Sequence, residues 1–329
     1  MRSLLALPLL APAIFSCTSA ALLPLNAHDD VELTPLPLVI WHGLGDDYGR
    51  EGLKAVAKLA EETNPGTYVH IVKLGNTADQ DREATFFGNV TIQLEQVCAQ
   101  LAKEPILSTA PAVNALGFSQ GGQFLRAYIQ RCNFPPVRNL VTFGSQHNGI
   151  SKFQSCGVRG DWLCRGSEAL LRLGRWSTFV QSRVVPAQYF RDPEEIPQYL
   201  KHSNFLADIN NEREVKNETY KHNLMKLNKF AMYVFEDDVT VVPKESGFFG
   251  EKNMTTGHVT PLKERTLYKE DWLGLQALDN QGKLDFRTVP GEHMQVSEKN
   301  LASAFKEYFG PIEIEEEFSI QSPVLVVQN

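Results

Sequence analysis

Apolar residues along the chain fall into short runs that alternate with helical spacing. Leu36 to Trp41 is an apolar run that ends in His42-Gly43-Leu44-Gly45-Asp46, which predicts a buried strand and a glycine-rich turn. Glu51 to Glu62 places Leu53, Val56, Ala57 and Leu59 on one helical face. Tyr68 to Leu74 predicts a strand and Phe87 to Leu101 an amphipathic helix. Val113 to Leu116 predicts a strand, followed by a helix over Gly122 to Arg131. Further strands are expected at Leu140 to Phe143, Phe230 to Phe235 and Leu284 to Val289, and a closing helix at Leu301 to Tyr308. Strands alternating with helices imply an α/β class with a doubly wound, mostly parallel sheet.

The alternation breaks between residues 146 and 228. That stretch is rich in aromatics, Arg and Pro, with helical pieces at Ser167 to Leu173 and Phe179 to Val185. It is expected to be a helical insertion packing as a lid over the carboxyl edge of the sheet; the plainer alternative is a helical subdomain without a binding role. The core is then residues 36–145 and 229–310. The tail 311–329, acidic and then apolar, is read as disordered or as an added edge strand.

Composition changes this picture in one place, the N-terminus. Arg2, the apolar stretch Leu4 to Phe15 and the small residues Thr18-Ser19-Ala20 have the form of a secretory signal cut near residue 20. An uncleaved anchor is the alternative; Pro8, Pro12 and the polar residues from Ser16 to Ser19 argue against a clean span. No other stretch is long and apolar enough to cross a membrane. The chain has 329 residues and a net charge of −7, which argues against nucleic acid or an anionic membrane as a long-range partner.

Of five cysteines, Cys17 falls in the signal, leaving Cys98, Cys132, Cys156 and Cys164. An even count in an exported chain predicts two disulfides. Cys156 and Cys164 flank Gly157-Val158-Arg159-Gly160 and are paired on proximity, which leaves Cys98 with Cys132. No matched Cys/His spacing indicates a metal, and no cofactor is expected. Sequons at Asn89, Asn217 and Asn253 agree with export.

The chemistry is concentrated in Gly117-Phe118-Ser119-Gln120-Gly121, a G-x-S-x-G sequence between a predicted strand and a predicted helix. Glycines flank the serine because side chains there would collide with neighbouring backbone. A serine hydroxyl needs a base, and the base needs an orienting acid. In this context both follow the serine, each just past a strand. Glu236-Asp237-Asp238 follows one strand and Pro290-Gly291-Glu292-His293 follows another. His293 is the expected base; His42, His147 and His258 fit that order less well. Spacing alone leaves Asp237 and Asp238 open as the acid. The N–H of Gln120 is one expected oxyanion donor, and the N–H of Leu44 in the first turn is the candidate for the second.

The run from Gly117 to Ala127 resembles the nucleophile segment of the palmitoyl-protein thioesterases, as does Trp41-His42-Gly43-Leu44-Gly45-Asp46. Gly144 to Gly149, Phe205 to Asn210, Thr266-Leu267-Tyr268 and Leu273-Gly274-Leu275 extend the likeness from about Pro37 to Gly310. The resemblance implies the α/β-hydrolase fold and hydrolysis of the thioester between a long fatty acyl chain, chiefly palmitate, and protein cysteines. It implies Ser119, Asp238 and His293 as the triad, Leu44 and Gln120 as oxyanion donors, and the two disulfides paired above. S-palmitoylated proteins or peptides and acyl thioesters are the implied partners, in a lysosome, vacuole or the extracellular space. The family's vicinal cysteines after the first turn are absent here, where Asp47 and Tyr48 stand. Only the sequon at Asn217 matches, and the tail has no counterpart. A lipase or carboxylesterase would use the same three side chains, and a non-catalytic lipid carrier could share the fold. Substrate proteins, acyl-chain preference and oligomeric state are not readable from the chain.

Overall fold

A computed structural model describes residues 34–153, 156 and 162–312. The expected signal, residues 1–20, and the tail beyond Ile312 lie outside the described residues. In chain order the elements are β1 (Leu38–Trp41), α1 (Glu51–Thr63), β2 (Val69–Ile71), α2 (Ala78–Phe86), α3 (Val90–Lys103), α4 (Pro105–Thr109), β3 (Val113–Phe118), α5 (Gln120–Arg131) and β4 (Val137–Phe143). The insertion contributes α6 (Trp162–Arg172), α7 (Thr178–Gln181), α8 (Val185–Gln188), α9 (Ile196–His202), α10 (Leu206–Ile209) and α11 (Glu218–Leu224). Then come β5 (Lys229–Phe235), the short pair β6 (Glu251–Lys252) and β7 (Val259–Thr260), α12 (Thr266–Lys269), α13 (Leu275–Asn280), β8 (Leu284–Val289) and α14 (Glu298–Phe309).

Six strands form one parallel sheet in the order β2-β1-β3-β4-β5-β8. This is the α/β-hydrolase architecture. Every residue of β1 and β3, Asn114 included, is buried, as a sheet with helices on each side requires. Within β1 the side chains alternate: Leu38 and Ile40 join the core under α1 and α14, whereas Val39 and Trp41 join the core under α3, α5 and α11. The order reverses at β1, so the carboxyl ends of β1 and β3 flank a crevice, the customary place for a ligand in such a sheet. The first turn and Ser119 both lie there.

Several boundaries differ from the sequence expectation for physical reasons. Strand β2 is shorter than Tyr68 to Leu74. The helix expected from Phe87 begins at Val90, because Asn89 accepts the N–H of Thr91 at 3.0 Å and caps α3. Helix α2 was not anticipated: its buried residues include Asp81 and Thr85 as well as Phe86, so it lacks an apolar stripe. The 146–228 stretch is heterogeneous. Phe205, Leu206, Ile209 and Leu224 are fully buried in the same core as α5, while α6 and α7 expose much of their surface.

Disulfides join Cys98 on α3 to Cys132 just past α5, and Cys156 to Cys164 on α6. No helix among the described residues is long and apolar enough to cross a membrane.

Candidate active site

Ser119 stands between β3 and α5 with φ 51° and ψ −123°. The tight return of α5 against β1 and β3 leaves no room beside it. A Cβ on Gly121 would lie 2.2 Å from the carbonyl oxygen of Trp41, and one on Gly117 would lie 2.1 Å from the Cα of Gly122. Both positions demand glycine for close backbone approach, which is the steric content of the G-x-S-x-G pattern.

The structure brings Ser119, His293 and Asp238 together. His293 lies on the loop after β8 and Asp238 on the loop after β5, and these strands are neighbours. The carboxylate Oδ2 of Asp238 is 2.7 Å from His293 Nδ1, and His293 Nε2 is 3.1 Å from Ser119 Oγ. An ionised carboxylate can only accept, so Nδ1–H donates to Asp238 and Nε2 is left to accept from the serine hydroxyl. The other carboxylate oxygen, Oδ1, accepts the N–H groups of Thr240 and Val241, each at 2.9 Å. Asp238 is thus buried with its acceptors engaged, while its neighbour Asp237 is exposed. That contrast separates the two aspartates that spacing left open.

Leu44 and Gln120 lie beside the nucleophile. Neither backbone N–H meets an acceptor among the described residues. Gln120 opens α5, where the first N–H groups of a helix have no partner within it. Leu44 lies in the turn after β1, and that turn is braced by α2. His42 Nε2 meets Asp81 Oδ2 at 2.8 Å, the N–H of Gly45 donates to Thr85 Oγ1 at 2.9 Å, and Arg82 Nε donates to the carbonyl of Gly45 at 2.9 Å. Burial works against charge on His42, but the hydrogen bond and charge of Asp81 outweigh it and raise its pKa. Burial likewise opposes charge on Asp81, yet His42 and the N–H groups of Leu74 and Tyr48 bring its pKa below the ordinary value. Sequence reasoning missed Asp81 and Thr85. The signal that could have found them is polar residues at helical spacing four apart with no apolar stripe beside them.

The remaining histidines take no part in this chain of contacts. His147 is fully buried, 3.0 Å from Thr142 Oγ1 and stacked on Phe249. Burial pushes its pKa well below the ordinary range, so it is neutral. His258 is on an exposed turn. Among the described residues no group of acidic, His or Cys side chains is arranged to hold a metal.

Ser119 and His293 open on a cavity of about 570 Å³. Its walls are mostly apolar: Leu53, Val56 and Leu59 come from α1, while Ile150, Phe153 and Leu171 come from the segment after β4. A hydrogen-bonded serine, two unengaged N–H groups and an apolar cavity together can form an acyl-enzyme and hold an acyl chain.

Of the three sequons, Asn217 is exposed and caps α11, whereas Asn89 and Asn253 are partly buried. Each side chain accepts a backbone N–H from the residue two positions on.

Comparison with known proteins gives a consistent picture. The palmitoyl protein thioesterase family model matches residues 37–293. Palmitoyl-protein thioesterase 1 of Caenorhabditis elegans is 42% identical over 277 residues, covering 83% of this chain and 92% of that protein. Palmitoyl-protein thioesterase 3 of Dictyostelium discoideum is 36% identical over 258 residues, 78% of this chain and 84% of that one. A Drosophila melanogaster protein named as a lysosomal thioesterase PPT2 homolog is 28% identical over 284 residues, 85% and 90% of the two chains.

Proposed function

The chain belongs to the palmitoyl-protein thioesterase family, and on that premise we propose that it hydrolyses long-chain acyl thioesters of protein cysteines through an acyl-serine at Ser119. The observation that carries this reading is the Asp238–His293–Ser119 chain of contacts opening on an apolar cavity.

In this mechanism His293 Nε2 takes the proton of Ser119 as the hydroxyl oxygen attacks the thioester carbonyl. Asp238 holds the ring in the tautomer that leaves Nε2 free and stabilises the imidazolium that forms. The N–H groups of Leu44 and Gln120 receive the oxyanion. The C–S bond breaks, the cysteine sulfur leaves, and the acyl group remains on Ser119. Cysteine ionises near a pKa of about 8.5, so its thiolate leaves with little need of a proton donor. The imidazolium passes its proton to the departing sulfur or to solvent. Neutral His293 then takes a proton from water as it attacks the acyl-serine, and returns that proton to the Ser119 oxygen as the fatty acid leaves. Asp81 and Thr85 act through the turn they brace, as positioning residues for the Leu44 N–H.

Selection for a long chain follows from the cavity. Each methylene moved from water into an apolar lining contributes about 0.8 kcal/mol. Two disulfides and the signal-like N-terminus support work in an oxidising compartment, the lysosome or the extracellular space, with Asn217 as the most accessible of the candidate glycan sites.

The deciding experiment is hydrolysis of a palmitoyl-cysteine peptide and of its oxygen-ester counterpart by the wild type and Ser119→Ala. The wild type is expected to prefer the thioester, and the variant to lose about 10⁶-fold in kcat, the scale of a lost serine nucleophile. No turnover by a folded wild type, or turnover that survives in Ser119→Ala, would sink the reading.

A further inference from the structure

Helix α6 has two working faces. Cys164, Ser167, Glu168 and Leu171 line the cavity beside Ser119. On the opposite side Trp162, Arg165, Ala169 and Arg172 are exposed at spacings of three and four residues, and Leu173 continues that face. Trp162 is 69% exposed, Leu173 71% and Phe179, at the start of α7, 50%. These are large apolar groups left in water on the outer wall of the acyl cavity.

The charge of this surface is opposite to that of the molecule. The chain carries −7 overall, yet residues 162–183 contain Arg165, Arg172, Arg175 and Arg183 and one acidic residue, Glu168. Glu168 pairs with Arg172 at 2.8 Å, while Arg175 lies 3.9 Å from Glu195; the stretch keeps a net positive charge. The guanidinium of Arg183 lies 4.4 Å from the centre of the Phe179 ring, so charge and apolar surface are interleaved rather than segregated. A mixed surface of Trp, Leu, Phe and Arg on an amphipathic helix matches the boundary between lipid headgroups and acyl chains. A second copy of the chain is a poorer occupant, because a two-fold contact here would bring like charges together.

We infer that the outer face of α6 and the start of α7 dock on an anionic phospholipid bilayer. Trp162, Leu173 and Phe179 enter the headgroup boundary, and Arg165 and Arg183 meet lipid phosphates or carboxylates. Docking brings the protein, with α6 between bilayer and cavity, to the surface in which a lipidated cysteine has its chain anchored, and so concentrates the enzyme beside its substrate. The functional part of this inference rests on the reading that the cavity takes the acyl chain; the docking itself does not.

Co-sedimentation of the full chain with phosphatidylcholine vesicles, with and without phosphatidylserine, tests it. Binding is expected only with phosphatidylserine and is expected to fall with added salt. Arg165→Gln and Arg183→Gln are each expected to weaken it about fivefold, the equivalent of about 1 kcal/mol per basic side chain. The double change Trp162→Ser with Leu173→Ser is expected to weaken it at least as much. All of these variants should hydrolyse a short, water-soluble acyl thioester at the wild-type rate and lose activity on a vesicle-borne palmitoyl peptide. Equal binding to neutral and anionic vesicles, binding indifferent to these substitutions, or a concentration-dependent dimer that hides this face would each overturn the docking. Vesicle binding without thioester hydrolysis would instead count against the proposed catalytic function and leave the docking standing.

Discussion

Two histidine–aspartate pairs lie near Ser119, with nearly the same contact and opposite surroundings. His293 and Asp238 meet at 2.7 Å, His42 and Asp81 at 2.8 Å. The ring of His293 is 13% exposed and turns its second nitrogen to the serine hydroxyl. The ring of His42 is 1% exposed and its second nitrogen faces the carbonyl of Gly43. The first pair has a nitrogen left to exchange a proton with a reacting group; the second is closed and can only hold a loop. On the proposed mechanism, what makes such a pair reactive is the third contact.

The strongest test of that distinction is Asp238→Asn. It is expected to lower kcat about 10⁴-fold, because an amide no longer enforces the Nδ1–H tautomer. A loss much smaller than this would mean that His293 is oriented by something else and that the two pairs are less different than they look. Steady-state kinetics on a palmitoyl-cysteine peptide measures it.

Asp81→Asn should cost about 10²-fold in kcat with KM little changed, the scale of a misplaced oxyanion donor. It should also affect stability in a pH-dependent way. The raised pKa of His42 contributes stability below its ordinary value of 6.5, and this is lost as pH rises through the folded value. The lowered pKa of Asp81 contributes above 3.8, lost as pH falls through its folded value. Both contributions are in full between those two ordinary values. Thermal melts across pH should therefore show the widest gap between wild type and Asp81→Asn in that window, narrowing at higher pH. A gap independent of pH would show that the pair is not ionised.

The smallest effect belongs to Asp237→Asn. The side chain is exposed beside the acid and should change neither kcat nor stability by more than about twofold, the usual range for a surface replacement. A larger loss would blur the assignment of the acid.

Local pattern and spacing made the reactive pair more legible than the bracing pair. The serine announces itself because strand, glycine, serine, glycine and helix are contiguous, and His293 because a strand ends just before it. Asp238 could not be told from Asp237 by spacing, since only the loop after β5 buries one and leaves the other in water. Asp81 left no such mark. It is buried within a helix whose inward side is polar, so the hydrophobic pattern that marks α1 and α3 does not mark α2. The 146–228 stretch stands out in the sequence as a break in alternation, but its division into core-packed α10 and α11 and exposed α6 and α7 depends on contacts with α5 that lie far away in sequence.

On the proposed mechanism, the left-handed backbone of Ser119 has a cost that selection cannot remove without removing the reaction. A non-glycine residue held at φ 51° with ψ −123° stores roughly 1–3 kcal/mol of strain. Glycine at that position would relax the turn and raise the melting temperature of a protein that no longer forms an acyl-enzyme. Efforts to make this protein more heat-resistant should therefore leave the elbow alone and look to surfaces away from the cavity and from α6 and α7.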